Sequence, residues 1–138
     1  MAPRFLLDAS AVYPLVATLR EEFVDHARLF AVLDLTAYEV GNALLKEYRK
    51  GRVRDLDAAF RLFESALSYV TVLNFPGLSE VLKLAYSENL TFYDAAYLYS
   101  ARARGMRLVT EDRDLLRFPK SINVRSLLEA LGTGSEIT

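Results

Sequence analysis

The chain of 138 residues contains no cysteine and only one histidine, His26. The absence of cysteine excludes disulfide bonds, thiolate zinc sites and cysteine nucleophiles. A single histidine argues against a Ser-His-Asp triad and excludes a metal site built from several histidines. Any chemistry must therefore come from carboxylates, hydroxyls, amides and cations.

Neither sign of charge dominates, because 17 Lys and Arg stand against 18 Asp and Glu, for a formal net charge of -1. This balance argues against a bulk nucleic-acid coat or a polybasic membrane-binding protein, although it leaves local patches open. The longest uncharged stretch, residues 65–79, contains Pro76 and Gly77 and falls short of the roughly 20 apolar residues of a membrane helix. We therefore expect a cytoplasmic protein with no membrane partner.

Short apolar segments of strand length alternate with longer segments of helical period. The predicted strands are residues 5–7, 29–35, 69–75, 106–109 and, more weakly, 122–124. The predicted helices begin at about 9, 36, 56, 78 and 91. This alternation predicts an α/β fold, a three-layer α/β/α sandwich with a central parallel sheet of about five strands. We expect a single domain over residues 1–131 and a flexible C-terminal tail over 132–138.

Four acids fall where predicted strands end or predicted helices begin: Asp8, Glu39, Asp94 and Asp112. The carboxyl ends of parallel strands meet at one edge of such a sheet, which is where its ligands bind. Carboxylates gathered there repel one another and resist ionising together. Mg²⁺ or Mn²⁺ prefers oxygen ligands and relieves that repulsion. The pattern therefore indicates a divalent metal site.

Each of these acids also fits a purely structural role. Thr36 and Glu39 have the spacing of a capping box, and Thr91 and Asp94 resemble one. Asp8 and Asp112 are suitable N-caps for the helices that they precede. The spacing alone leaves the metal site and the capping roles equally open.

Polar and aromatic residues near the acids have the same two interpretations. Ser10, Asn42 and Thr110 either support the acids or stabilise local structure. Phe92, Tyr93 and Tyr97 either stack on unpaired bases or pack in the core.

Basic residues form two local groups that are suited to a polyanion. The first has a net charge of +4 with Glu47 included, and consists of Lys46, Arg49, Lys50, Arg52 and Arg54. The second follows the helix that carries Asp94, and consists of Arg102, Arg104 and Arg107. We take Lys46, Arg49, Lys50 and Arg102 as candidate contacts for such a polyanion. Basic residues that end a helix also complement its dipole, which is the competing explanation.

Four segments together resemble the motif blocks of PIN-domain nucleases, in that family's order and over almost the whole chain. They are residues 5–10 (FLLDAS), 39–44 (EVGNAL), 93–97 (YDAAY) and 108–112 (LVTED). The small single-domain form is most similar to the VapC toxins of toxin–antitoxin pairs. The resemblance implies a PIN-like fold and an endoribonuclease that cleaves RNA with Mg²⁺ or Mn²⁺.

Carried onto this sequence, the resemblance implies an acidic quartet of Asp8, Glu39, Asp94 and Asp112. Ser10, Asn42 and Thr110 would be the supporting polar groups. Glu111, Asp112 and Asp114 crowd one turn, so Asp114 is a second candidate for the fourth acid.

The resemblance also implies a homodimer and a cognate antitoxin protein. A wide apolar stripe offers a contact surface for either, and consists of Leu56, Ala59, Phe60, Phe63, Leu67 and Tyr69. A catalytically silent PIN-like module that binds RNA or protein is the alternative function. A phosphoacceptor receiver domain fits less well, because it needs paired acids after the first strand, where this chain has Asp8-Ala9-Ser10.

Overall fold

The computed structural model describes residues 2–133, which form an open parallel sheet with helices on both faces. The strands are β1 (Phe5–Leu7), β2 (Phe30–Leu33), β3 (Thr71–Leu73) and β4 (Arg107–Val109). The helices are α1 (Ala9–Leu19), α2 (Phe23–His26), α3 (Thr36–Arg49), α4 (Leu56–Leu67), α5 (Leu78–Glu88), α6 (Phe92–Ala103), α7 (Arg113–Leu116) and α8 (Val124–Thr133). Two 3-10 turns, Arg20–Glu22 and Ala27–Leu29, flank α2.

The strand order is β3-β2-β1-β4, and every pairing is parallel. The first strand lies at the centre, with Phe5 opposite Phe30 on one side and Leu7 opposite Val109 on the other. From β1 the chain continues to β2 and β3 on one side of the sheet and then crosses to β4 on the other side. The crevice at the carboxyl end of β1 is therefore the switch point where ligands of such sheets bind.

Alternating side chains of the strands face two separate cores. Phe5, Leu7 and Phe30 belong to the core that also contains residues of α1, α3, α4 and α8. Leu6 and Ala31 belong to the core on the other face, which contains residues of α5 and α6. The period-2 alternation of a strand thus produces the two buried layers. The predicted three-layer α/β/α sandwich is confirmed.

The prediction of a fifth strand is wrong. Ile122 makes one isolated parallel bridge to Val109 and no ladder beyond it. The side chain of Asn123 accepts a hydrogen bond from the backbone N–H of Ser126 at 2.9 Å, and α8 begins at the next residue. A helix cap therefore ends the pairing after one residue, and the sheet of the described residues has four strands.

The C-terminal end of the described chain is helical. Gly132 and Thr133 are the last residues of α8. The rest of the predicted tail, residues 134–138, lies outside the described residues.

The core absorbs most of the apolar stripe predicted as a contact surface. Phe63 of α4 is 4% exposed, and Tyr13 stacks on its ring at a centroid distance of 5.3 Å. Phe60 and Tyr69 remain exposed. A second exposed apolar row, unexpected from the sequence, runs along α5 through Leu78, Leu82 and Tyr86. Within residues 2–133, no helix is both long enough and apolar enough to span a membrane.

The central strand generates a stability prediction. Replacing the fully buried Leu6 by Ala removes apolar packing between β1 and α6 and should lower the free energy of unfolding by about 3 kcal/mol. Leu82→Ala is the matched control, because Leu82 is 62% exposed and its loss should cost at most about 0.5 kcal/mol. Denaturant unfolding of both variants tests this, and equal costs would contradict the assigned core.

Candidate active site

All four predicted acids lie at the carboxyl edge of the sheet. Asp8 directly follows β1, and Asp112 follows β4 after two residues. Glu39 lies in the first turn of α3, which follows β2, and Asp94 lies in the first turn of α6. The chain therefore delivers one carboxylate from each of four different segments to this edge.

Asp8 is almost fully buried and held by three hydrogen bonds. Its Oδ1 accepts from Ser10 Oγ at 2.6 Å and from the backbone N–H of Ala11 at 3.1 Å. Its Oδ2 accepts from Thr110 Oγ1 at 2.5 Å. Burial outweighs these bonds and raises the pKa of Asp8 to about 6, with a further contribution from the charge of Asp94. The predicted N-cap role of Asp8 is confirmed, and it coexists with membership of the acidic cluster.

Ser10 and Thr110 connect the loops that follow β1 and β4. Thr110 is fully buried and donates its hydroxyl proton to Asp8, while its oxygen accepts from the backbone N–H of Asp112 at 3.0 Å. Ser10 Oγ donates to Asp8 and accepts from the backbone N–H of Glu111 at 2.9 Å. Both residues therefore support the acids, as predicted, by fixing the segment that carries Asp112 against Asp8.

Asp94 and Asp112 meet across the edge. Thr91 caps α6 by accepting from the backbone N–H of Asp94 at 3.1 Å, which confirms that predicted cap. The pKa of Asp94 is raised to about 6, mainly by burial, next by the negative charge of Asp112 and more weakly by that of Asp114. Asp112 also caps α7 through the backbone N–H of Asp114 at 2.8 Å. Of the two candidates for the fourth acid, Asp112 acts more strongly on Asp94.

Glu39 is oriented by a buried tyrosine. Tyr97 donates its phenolic proton to Glu39 Oε1 at 2.7 Å, and the hydroxyl of Thr36 lies 2.7 Å from the same phenol oxygen. Thr36 Oγ1 also accepts from the backbone N–H of Leu33 at 3.1 Å. Because Tyr97 donates to Glu39, Thr36 must donate to Tyr97. Burial raises the pKa of Tyr97 far above its ordinary value, so the phenol stays a donor.

The capping-box interpretation of Thr36 is wrong. Thr36 is the first residue of α3, and the preceding Leu35 makes no side-chain cap. The backbone N–H of Glu39 bonds to the carbonyl of Leu35 instead. The hydroxyl of Thr36 turns inward because the end of β2 and the buried phenol of Tyr97 both require a partner there.

Two grooves flank Glu39 and share Asn42. One, of about 300 Å³, is lined by Ala9, Ser10, Tyr13, Glu39, Asn42, Ala43 and Lys46. The other, of about 320 Å³, is lined by Leu35, Tyr38, Glu39, Asn42 and Tyr93. The predicted residues Asn42 and Lys46 are thus brought to the acids.

The other candidate RNA contacts lie further away. Arg49 and Lys50 are exposed at the far end of α3, and Arg52 pairs with Glu47 at 3.2 Å. Arg102 is eight residues along α6 from Asp94, which is roughly 12 Å of helix. Its guanidinium lies over the Phe118 ring at 5.3 Å. The structure does not bring Arg102 to the acids.

The donor set suits a hard divalent cation, although the side chains do not form a finished cage. Within residues 2–133, no group of three or more Asp, Glu or His side chains lies close enough together to hold a metal ion as positioned. The acids instead interact in pairs, Asp94 with Asp112 and Asp8 with Asp94. Mg²⁺ binds through one or two carboxylates and keeps several waters, which agrees with paired acids. Burial first and the charge of Asp112 second raise the pKa of Asp94, and a bound cation would relieve that repulsion.

Sequence reasoning missed the role of Tyr97, and stacking on bases is wrong for this residue because it is only 2% exposed. Its position three residues after Asp94 was the available signal, because such a pair shares one helix face. Phe92 packs against Phe75 at a centroid distance of 5.5 Å. Tyr93 is 57% exposed. The hydrogen bond that the backbone N–H of Val124 donates to Glu111 Oε1 was also missed.

Comparison with known proteins identifies a family and several similar chains. The chain matches the family described as PIN domain over residues 5–121. A Pyrobaculum aerophilum protein named "Exonuclease VapC9" is 48% identical over 95% of this chain and 98% of its own length. "Ribonuclease VapC3" from the same organism is 36% identical over 84% of this chain and 95% of its own length.

Two solved structures share the fold. The crystal structure of PAE2754 from Pyrobaculum aerophilum superposes with a TM-score of 0.88 and 46% identity, covering 96% of this chain and 92% of that one. The DNA-bound VapBC structure from Salmonella typhimurium superposes with a TM-score of 0.64 and 17% identity, covering 88% and 96%. The latter likeness concerns the fold alone.

The raised pKa of Asp94 generates a prediction for the protein without divalent cations. The pKa is about 6 in the folded state against an ordinary 3.8, so the folded state binds the proton more tightly. Stability should therefore fall as the pH rises from about 4 to about 6 and stay lower above it. At pH 7, Asp94→Asn should raise stability by about 1 kcal/mol, a value reduced for the partial exposure of the carboxyl group.

Melting temperatures in a chelating buffer from pH 4 to 8 test this. The control is Glu64→Gln, an exposed acid on α4 whose loss should leave the pH profile unchanged. A variant Asp94→Asn that is less stable than the parent at pH 7 would contradict the unfavourable burial and repulsion of the Asp94 carboxylate.

Proposed function

The chain belongs to the PIN domain family and to its VapC group, and we propose from this premise that it is a Mg²⁺- or Mn²⁺-dependent endoribonuclease and the toxin of a toxin–antitoxin pair. The observation that carries the proposal is the acidic cluster at the carboxyl edge of the sheet. The burial of Asp8 and Asp94 and the repulsion of Asp94 by Asp112 are unfavourable in a structural protein and useful in a site that takes up cations.

The cation would be held chiefly by Asp8 and Asp94, with Asp112 and Glu39 binding directly or through water. When bound, it supplies a water of lowered pKa and offsets charge on the leaving oxygen of the phosphodiester. Ser10 and Thr110 keep the carboxylate of Asp8 in one orientation. Tyr97 likewise orients the carboxylate of Glu39, and its hydrogen bond engages only the Oε1 oxygen of that carboxylate.

Phosphodiester hydrolysis also requires that the substrate be aligned for in-line attack. Lys46 and Asn42 line the grooves beside Glu39 and are placed to contact a phosphate and an adjacent polar group. Arg49, one turn beyond Lys46 on α3, would extend this contact to the next phosphate. These cations compensate the negative charge that the acids present to the RNA backbone.

Neutralising single acids should abolish cleavage. Asp8→Asn and Asp94→Asn remove a ligand charge and keep the shape, and Asn at position 8 still caps α1. We expect Mg²⁺-dependent cleavage of RNA to fall by at least about 100-fold with the helical content unchanged. Glu64→Gln is the matched control, because it removes an equal charge from exposed α4. Full activity of either aspartate variant would refute the assignment, and RNA retention without turnover in the parent would favour the silent binding module.

The position of the cut in the RNA distinguishes an endoribonuclease from an exonuclease. This test is needed because one relative is named an exonuclease and the other a ribonuclease. An endoribonuclease cleaves a covalently closed RNA circle as well as the linear form. We expect the circle to be linearised at a rate comparable to internal cleavage of the linear RNA. If the linear RNA is shortened stepwise and the circle stays intact, the endonuclease assignment is wrong and the activity is that of an exonuclease.

The antitoxin partner has its own test. The VapC names of two relatives support such a partner. The product of a small reading frame adjacent to this gene should co-purify with the chain and inhibit its cleavage of RNA. Uninhibited cleavage in the stable presence of that product would contradict the pairing.

A further inference from the structure

Two tyrosines beside the acidic cluster are exposed in a way that the mechanism leaves unexplained. Tyr38 is 80% exposed and Tyr93 is 57% exposed. Each directly precedes an acid of the cluster in the first turn of its helix, Tyr38 before Glu39 and Tyr93 before Asp94. Consecutive helical residues point about 100° apart, so a turn that aims the acid at the sheet edge aims the tyrosine at the rim.

The two tyrosines converge on one groove, although they come from different helices. The groove of about 320 Å³ is lined by both rings together with Leu35, Glu39 and Asn42. Two aromatic rings, an apolar floor and one amide group form a surface that is suited to a flat heterocycle. The carboxylate of Glu39 makes this surface continuous with the acidic cluster.

Tyr93 is held in place by an aromatic row. Its ring meets the edge of Phe92 at a centroid distance of 6.2 Å and an interplanar angle of 75°. Phe92 in turn stacks on Phe75 at 5.5 Å and 25°. The exposed ring is therefore supported from behind, which lowers the entropy lost when a ligand stacks on it.

Resting on the proposed nuclease function, we propose that Tyr38 and Tyr93 form a platform that binds an unpaired nucleobase next to the scissile phosphate. Base–aromatic stacking is tolerant of sequence, because every base has a π-face. Asn42 supplies a donor and an acceptor to the edge of the bound base. Beyond Glu39, the neighbouring groove with Ser10 and Lys46 receives the continuing backbone. A base inside a duplex cannot reach the platform without leaving its stack.

The test uses an oligoribonucleotide with a single 2-aminopurine beside the cleaved bond, whose fluorescence falls on stacking. Tyr38→Ala and Tyr93→Ala should each raise KM by about 5- to 150-fold with kcat unchanged, the range set by stacking energies. Tyr38→Phe and Tyr93→Phe should restore KM, because stacking needs the ring and not the hydroxyl. Tyr86→Ala, which removes an exposed tyrosine of α5 that does not line the groove, should have the parental KM.

Binding of the fluorescent RNA separates this proposal from the nuclease function. Quenching by the parent that is lost in both alanine variants supports the platform, even where the parent cleaves nothing and the nuclease function fails. Cleavage by the parent with the same KM and quenching in the alanine variants overturns the platform and leaves the nuclease function intact. A duplex of the same sequence that binds as tightly as the single strand also overturns it. The platform is also overturned if the alanine variants lose antitoxin binding while their RNA binding is unchanged, because that result would assign the surface to a protein partner.

Discussion

The buried carboxylate of Asp8 is the constraint on which the carboxyl edge of the sheet depends. It lies at the end of the central strand, and its oxygens accept hydrogen bonds from the hydroxyls of Ser10 and Thr110 and from the backbone N–H of Ala11. These bonds begin α1 and connect the loop after β1 to the loop after β4. An unpaired buried carboxylate would be costly, so the bonds are obligatory and they determine the course of both loops.

A second buried network, independent of the first, positions the other side of the cluster. Thr36, Tyr97 and Glu39 form a directional chain of hydrogen bonds that crosses from α3 to α6. Because Tyr97 belongs to the core on one face of the sheet, the orientation of Glu39 is coupled to the packing of α6. The first network holds Asp8 and the segment of Asp112, the second holds Glu39, and the cap by Thr91 holds the first turn of α6, where Asp94 is repelled by Asp112.

The sequence was sufficient to predict the layers and the acids, because both follow from local patterns. Alternating apolar runs determined the strands, and the rule on parallel strands placed Asp8, Glu39, Asp94 and Asp112 at one edge. The predicted fifth strand does not form, because the helix cap at Asn123 outweighs the β-propensity of the β-branched residues around it. The core interpretation of Tyr97 is confirmed. The role of Thr36 and the bond from Tyr97 to Glu39 were not predicted, because the bonded residues lie 61 and 58 residues apart and spacing along the chain does not reveal such contacts.

The bridge at Ile122 makes the two edge strands of the sheet, β3 and β4, unequal. The hydrogen bonds between Ile122 and the backbone of Leu108 and Thr110 cover the outer side of β4 at its carboxyl end. The opposite margin is β3, where Thr71 and Val72 are exposed. Exposed margins are templates for strand addition, and native proteins limit them by keeping the strand short. Any intermolecular growth of this sheet would therefore be one-sided, and the three residues of β3 ahead of Pro76 leave little backbone on which such growth could begin.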